Sequence, residues 1–371
     1  MRQSLREIDL MNDAVRLSAL RAHMAEDGAE AVLVTHLPDV RWLCGFTGSN
    51  AALAVTAAKA VLFTDGRYTV QAKEETRGAR VVIAKKSAPK EACALLESLA
   101  KHAGYDSEHT TVAALEMMRS AVSGKVRRGF FVALKRPLVS ELRMVKDAGE
   151  LRLMEKAAAL GVKVFNAVLP HIEGGVAETE IAASLEFFAR SFGAEGMSFE
   201  TIVASGKRSA LPHGRATGQK TPRNGFITLD FGVILNGYCS DMTRTVCVGK
   251  LSGQERAAYE AVLEAQEAGV AAVRPGVTCG EVDEAARSVL RKAGLAKFFT
   301  HSTGHGVGLE IHEAPRLAAG QDMELKPGMV VTVEPGVYLA GKFGIRIEDM
   351  VAVTQRGNKV LTNAAKALIE L

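Results

Sequence analysis

Cysteine is scarce: Cys44, Cys93, Cys239, Cys247 and Cys279 are odd in number, scattered and without C-x-x-C spacing. That argues against a disulfide framework and is the pattern of reduced thiols in a cytoplasmic protein. Long apolar runs are missing too. No stretch of about 18 apolar residues occurs, so no membrane span is expected. The amino-terminal stretch alternates charged and apolar residues where a signal peptide needs an uninterrupted apolar segment. Aromatic residues make up only 5% and the net charge is only +4, with no dense Lys/Arg run interleaved with aromatics. Nucleic acid is therefore not an expected partner. The turn-rich run Gly45-Phe46-Thr47-Gly48-Ser49-Asn50 lacks the glycine fingerprint leading into a helix that a phosphate cradle requires.

The 371 residues, 47% hydrophobic and 24% charged, suffice for two domains. Over 1–138, helical patterns at 12–27, 67–75 and 90–102 alternate with strand patterns at 30–35, 51–56, 60–64 and 80–84 and an apolar stretch at 129–134, which predicts a small α/β domain. Residues 135–146, charged and broken by Pro137, read as a linker; the second domain is expected over 139–371. Asp147 is an expected N-cap, with Glu150 three residues on, for a helix that stops before Pro170. Ala167-Val168-Leu169-Pro170 and the helix pattern after it recur as Ala272-Val273-Arg274-Pro275 about 100 residues later, which suggests two structural halves.

Two alternating apolar runs flank Asn236-Gly237, the pair best suited to a type I′ turn, so a β-hairpin is expected. In that register Leu235 faces Tyr238, Gly232 faces Asp241 and Asp230 faces Thr243. Both aspartates then share one face, about 7–8 Å apart, and Gly232 leaves a space without a side chain. Two carboxylates turned toward each other in a partly buried sheet repel unless they are protonated or share positive charge. Cys239 lies on the same face and reads as a small buried thiol.

Three further segments offer ligands: His305 between glycines, Glu334 at the end of an apolar strand, and Glu348 on the side of an alternating strand that also carries Arg346. Singly, each is an ordinary loop or strand residue. Together with Asp230 and Asp241 they form four carboxylates and one imidazole, whose charge matches two divalent cations. Oxygen-rich ligation favours Mn²⁺, with Co²⁺ or Zn²⁺ possible.

Leu-Asp-Phe-Gly, Ser-Asp-Met-Thr-Arg-Thr, Gly-His-Gly-Val-Gly, Val-Glu-Pro-Gly-Val-Tyr and Gly-Ile-Arg-Ile-Glu-Asp resemble signatures of the creatinase/prolidase/methionine aminopeptidase group, the pita-bread metallopeptidases, and above all the bacterial Xaa-Pro aminopeptidases and Xaa-Pro dipeptidases. Gly-Phe-Thr-Gly-Ser-Asn and Phe-Thr-Asp-Gly-Arg-Tyr resemble the group's amino-terminal domain. The resemblance implies a small creatinase-like α/β domain, then an α+β pita-bread domain with a pseudo-twofold repeat, and a homodimer or homotetramer. It implies a dinuclear centre held by Asp230, Asp241, His305, Glu334 and Glu348, and a metal-bridging hydroxide that attacks the bond before proline. Glu334 would also move the proton, His312 and His213 would stabilise the oxyanion, and His301 would bind substrate. Arg346 either orients ligand carboxylates, meets the substrate or forms a structural ion pair; Tyr338 is a further substrate candidate or ordinary packing. Lys207, Arg208, Arg215, Lys220 and Arg223 form a basic loop around His213, either solvated or attracting a peptide carboxylate. The expected activity is Xaa-Pro aminopeptidase; an Xaa-Pro dipeptidase and a non-catalytic protein of the same fold are the alternatives.

Overall fold

The computed structural model describes residues 2–124, 127 and 129–371, with side chains from residue 14 onward. The chain divides into two compact units, Met1–Arg143 and Met144–Leu371. The first is an α/β unit around one mixed six-stranded sheet in the order Arg80–Ile83, Ala60–Thr64, Ala51–Thr56, Ala31–Val34, Ala103–Tyr105 and Phe131–Ala133. Its central strands are buried along their length, and helix Ala88–Leu99 lays Ala92, Cys93 and Leu96 against them. The helix expected over 12–27 runs Arg2–Asp27.

Residues 135–146 are not an extended linker. They contain the helix Leu138–Met144, with Leu138 and Val139 buried and Arg143 donating to Asp39 at 2.6 Å. Pro137 precedes the first helical residue, where its missing N–H costs nothing, and its carbonyl accepts from Glu141. The proline starts a helix there.

In the second unit Asp147 caps Ala148–Val168 through a capping box with Glu150. Two helix pairs, Ala148–Val168 with Glu178–Ser191 and Gly253–Ala272 with Cys279–Lys292, back onto antiparallel sheets, so the sequence repeat corresponds to two α+β halves. One half holds Ile202–Ser205, Gly225–Phe231 and Met242–Val248; the other holds Gly304–Gly306, Glu313–Leu317, Val330–Val333, Asp349–Val353 and Asn358–Val360. This is the pita-bread arrangement.

The hairpin register is as the turn requires: Leu235 faces Tyr238, Thr243 faces Asp230, and Asn236 takes a φ of 49°. The hairpin is nevertheless divided between two sheets, its turn end Val233–Leu235 with Tyr238–Cys239 in one and its base Gly225–Phe231 with Met242–Val248 in another, because the strands break at Gly232 and at Ser240–Asp241. The space expected at Gly232 is filled. A Cβ there would sit 1.7 Å from the Ser240 carbonyl oxygen and 2.9 Å from Ser198 Oγ. The glycine serves close backbone approach and leaves no ligand cavity.

Candidate metal centre

Each candidate metal ligand lies on, or next to, a strand packed into the core. Ile345 and Ile347 are fully buried, and their alternation turns Arg346 and Glu348 the opposite way. Burying each isoleucine contributes about 1.5–3 kcal/mol toward holding that orientation. Glu334 follows Val330–Val333 with its N–H on the Thr303 carbonyl at 2.8 Å, and the Glu348 N–H reaches the Thr243 carbonyl at 3.1 Å. His305 sits between glycines because neighbouring backbone packs against both of them. Cβ atoms on Gly304 and Gly306 would lie 1.9 Å from Thr332 O and 2.2 Å from Ala314 O, so the glycines admit neighbouring backbone.

Asp241, His305 and Glu348 bring one ligand atom each within 4.8 Å of one another. His305 Nε2 lies 3.6 Å from Asp241 Oδ2 and 3.4 Å from Glu334 Oε1. On the same ring, Nδ1 is 3.0 Å from the Gly306 carbonyl oxygen, which can only accept, so Nδ1 carries the proton. In the neutral ring Nε2 then aims a lone pair at two carboxylates. Burial also pushes the His305 pKa down, against protonation as a remedy. Asp241 and Glu348 are driven well above the ordinary carboxylate range by burial and by the neighbouring carboxylates, and burial pushes Glu334 up to about 8. Asp230 Oδ1 is buried without a hydrogen-bond donor. A converging lone pair, an orphaned carboxylate oxygen and mutual repulsion are together what bound cations relieve, so the donor set fits divalent metal.

Thr243 Oγ1 donates to Glu348 Oε2 at 2.7 Å, while Thr332 Oγ1 accepts from the His305 N–H at 3.0 Å and donates to Glu334 Oε1 at 3.2 Å. Neither threonine stood out in the sequence; Thr243 could have been found from its place opposite Asp230.

Arg346 is buried and paired. Its Nη2 donates to Asp230 Oδ2 at 2.5 Å, Nε to Thr243 Oγ1 at 3.1 Å, and Nη1 to Tyr338 Oη at 2.7 Å and the Pro212 carbonyl at 3.1 Å. His301 Nδ1 lies 2.8 Å from the Ser302 carbonyl and must be protonated, so Nε2 accepts from Tyr338 Oη at 2.9 Å. A directed chain results, Arg346 to Tyr338 to His301. Burial, then the Arg346 charge, lowers the His301 pKa to about 4, and burial raises the Tyr338 phenol to about 12. Tyr338 is thus more than packing.

His312 is exposed, with its ring 4.4 Å from that of His305. Partial desolvation of the ring, followed by the charges of His305 and His213, lowers its pKa. His213 is exposed on its loop and close enough that its charge opposes protonation of both His301 and His312. Of the basic residues around it, Arg208 pairs with Glu178 and Arg215 with Glu200, while Lys207, Lys220 and Arg223 are exposed. Cys239 is buried among Met154, Val307 and Met350.

Residues 152–355 match metallopeptidase family M24, and residues 16–145 match the creatinase/prolidase N-terminal domain. The chain belongs to metallopeptidase family M24. This M24 hydrolase is 33% identical to an Xaa-Pro dipeptidase of Pyrococcus horikoshii over 98% of its own length and 100% of the relative's. Its fold superposes on an Xaa-Pro dipeptidase from Bacillus anthracis with a TM-score of 0.93 at 38% identity, covering 97% and 100% of the two chains. An X-Pro aminopeptidase from Thermotoga maritima gives a TM-score of 0.85 at 37% identity, covering 94% and 99%. Among the described residues, no helix of this M24 peptidase is long and apolar enough to cross a membrane.

Proposed function

We propose that this M24 peptidase is an Xaa-Pro aminopeptidase whose centre binds two Mn²⁺ ions, with Co²⁺ or Zn²⁺ as the competing occupants. The observation that carries the metal assignment is the His305 Nε2 lone pair facing Asp241 and Glu334 beside Glu348. Asp230, Asp241, His305, Glu334 and Glu348 would hold the ions, and hard oxygen donors favour manganese. Ions bound there would polarise the scissile carbonyl and make water acidic enough to attack it.

The remaining work falls to side chains. Glu334 carries a proton from the attacking water toward the leaving nitrogen. His312 and His213 donate N–H to the carbonyl oxygen as negative charge develops. His301, held by Tyr338, and Arg346 position the substrate. Proline after the first residue makes a tertiary amide with no N–H, so its slot needs apolar surface and no acceptor.

Relatives named as Xaa-Pro dipeptidases sustain a second reading, prolidase activity. Supplying Mn²⁺ and comparing Xaa-Pro with Xaa-Pro-Yaa separates the two: hydrolysis of the dipeptide alone would remove the aminopeptidase reading. Failure to take up any divalent ion, with no peptide cleaved, would leave a non-catalytic protein. Five free, buried cysteines accord with a cytoplasmic location. A homodimer or homotetramer is proposed on family resemblance and is testable by light scattering.

A further inference from the structure

His213 rides on the loop that leaves strand Ile202–Ser205 and returns near Thr217. The two ends of that loop meet on one carboxylate. Glu178, in the first turn of helix Glu178–Ser191, is completely buried. Its Oε1 accepts from Ser205 N at 2.8 Å and Ser205 Oγ at 2.9 Å; its Oε2 accepts from Thr217 N at 3.1 Å and Thr217 Oγ1 at 2.9 Å. Arg208 Nε spans both oxygens at 3.2 and 3.0 Å, and Arg208 Nη2 crosses the loop to the Arg215 carbonyl at 2.7 Å. Each carboxylate oxygen thus holds one side of the neck.

Burying an ionised carboxylate is costly, and an apolar side chain would serve the core as well. What only a carboxylate supplies here is two acceptors facing opposite ways. Past the neck, the Gly344 N–H donates to Ser209 Oγ at 2.8 Å, and Arg346, which also holds Asp230, donates to the carbonyl of Pro212, the residue before His213. The loop is therefore registered against the metal centre immediately beside its histidine. A similar device occurs in the other half. Buried Asp283 accepts from Thr303 N at 3.1 Å and Thr303 Oγ1 at 2.8 Å, between His301 and His305.

We infer that Glu178 is a positioning residue: by clamping the neck of the 205–217 loop it sets where the His213 imidazole stands over the centre. The inference rests on His213 acting in turnover. Glu178→Gln keeps the size but turns one acceptor into a donor facing an N–H and a hydroxyl, which frees one side of the neck. With Mn²⁺ supplied and Xaa-Pro-Yaa and Xaa-Pro as substrates, Glu178→Gln is expected to lower kcat about 10- to 100-fold, with bound metal unchanged. In a His213→Ala background it is expected to add nothing. Should Glu178→Gln not fold, Thr217→Val, which removes one hydroxyl and keeps the backbone N–H, is expected to act in the same direction more weakly and again to be silent without His213. A normal kcat in the folded clamp variants, or an effect undiminished in the His213→Ala background, overturns the inference while leaving His213 its role. Wild-type turnover by His213→Ala alone would overturn the role of His213 and the inference with it.

Discussion

Arg346 and Asp230 form a buried ion pair, Nη2 to Oδ2 at 2.5 Å, with the two side chains 4% and 11% exposed. The cation that offsets part of the charge of the centre thus stands two residues before Glu348, at the end of strand Phe343–Arg346. Arg346→Met is expected to leave Asp230 uncompensated and to destabilise the protein by about 3–5 kcal/mol. Arg346→Lys retains charge but cannot reach Asp230, Thr243, Tyr338 and Pro212 together, so it should recover stability in part and kcat/KM hardly at all. Thermal unfolding and steady-state kinetics on the three proteins check this; a lysine variant with normal kcat/KM would reduce Arg346 to a charge.

Asp241→Asn should respond oppositely with and without metal. The Asp241 carboxylate is held well above its ordinary pKa by burial and by Glu348, Asp230 and Glu334, so neutralising it relieves repulsion in chelated protein and should raise Tm there. In the presence of Mn²⁺ the lost ligand should lower Tm relative to wild type and reduce peptide hydrolysis to background. Unchanged turnover would remove Asp241 from the ligand set.

His301 carries a pH signature that can be read apart from catalysis. Its folded pKa is lowered to about 4 by burial and the Arg346 charge. Below its usual value of about 6.5 the unfolded chain takes up a proton that the folded ring refuses. Stability is therefore lost as pH falls from about 6.5 toward 4, by up to about 3 kcal/mol. His301→Gln, compared with wild type in chelated protein by denaturant titration, should flatten that part of the profile; identical slopes would show His301 to be protonated in the fold.

His312→Ala is expected to lower kcat by about 10²-fold while metal uptake changes little, because the ring neighbours His305 from an exposed position. Metal titration beside turnover decides it. Loss of metal with preserved turnover per bound ion would make His312 a ligand.

Much of this centre could be read in advance because its chemistry conflicts with its patterning. Carboxylates at Asp230, Glu334 and Glu348 end or interrupt strands whose neighbours are apolar, and the alternation around Ile345 and Ile347 states which way Arg346 and Glu348 turn. That Arg346 could orient a ligand carboxylate was legible, but not that Asp230 is its partner; the Tyr338 to His301 bond and the Glu178 clamp were not legible at all, since each joins segments whose spacing encodes nothing about contact. Elements in the amino-terminal unit were missed for a local reason. Helix Leu37–Cys44 has a proline in its first turn and helix Leu138–Met144 has one just before it. In both, proline marks a beginning where it was read as a break or passed over. Strand Ala103–Tyr105 is too short to show a period.

Gly232 was misread for a different reason: a missing side chain looks like vacancy in a sequence, whereas here the Ser240 carbonyl occupies the place. The Ser198 N–H donates to the Gly232 carbonyl at 2.9 Å and the Val233 N–H to Ser240 Oγ at 2.9 Å, so neither side of the contact is free to retreat. Gly232→Ala must therefore spread the hairpin between Asp230 and Asp241, at a cost of about 1–3 kcal/mol or more. Because the two aspartates ride on opposite legs, the damage should exceed a general loss of stability. Mn²⁺ affinity should fall at temperatures well below the unfolding transition, where Asn236→Ala, a change at the distant turn of the same hairpin, leaves it intact. Calorimetric metal titration of both variants tests this. Equal losses of affinity would mean that the close contact at Gly232 serves the fold and does not set the spacing of the two carboxylates.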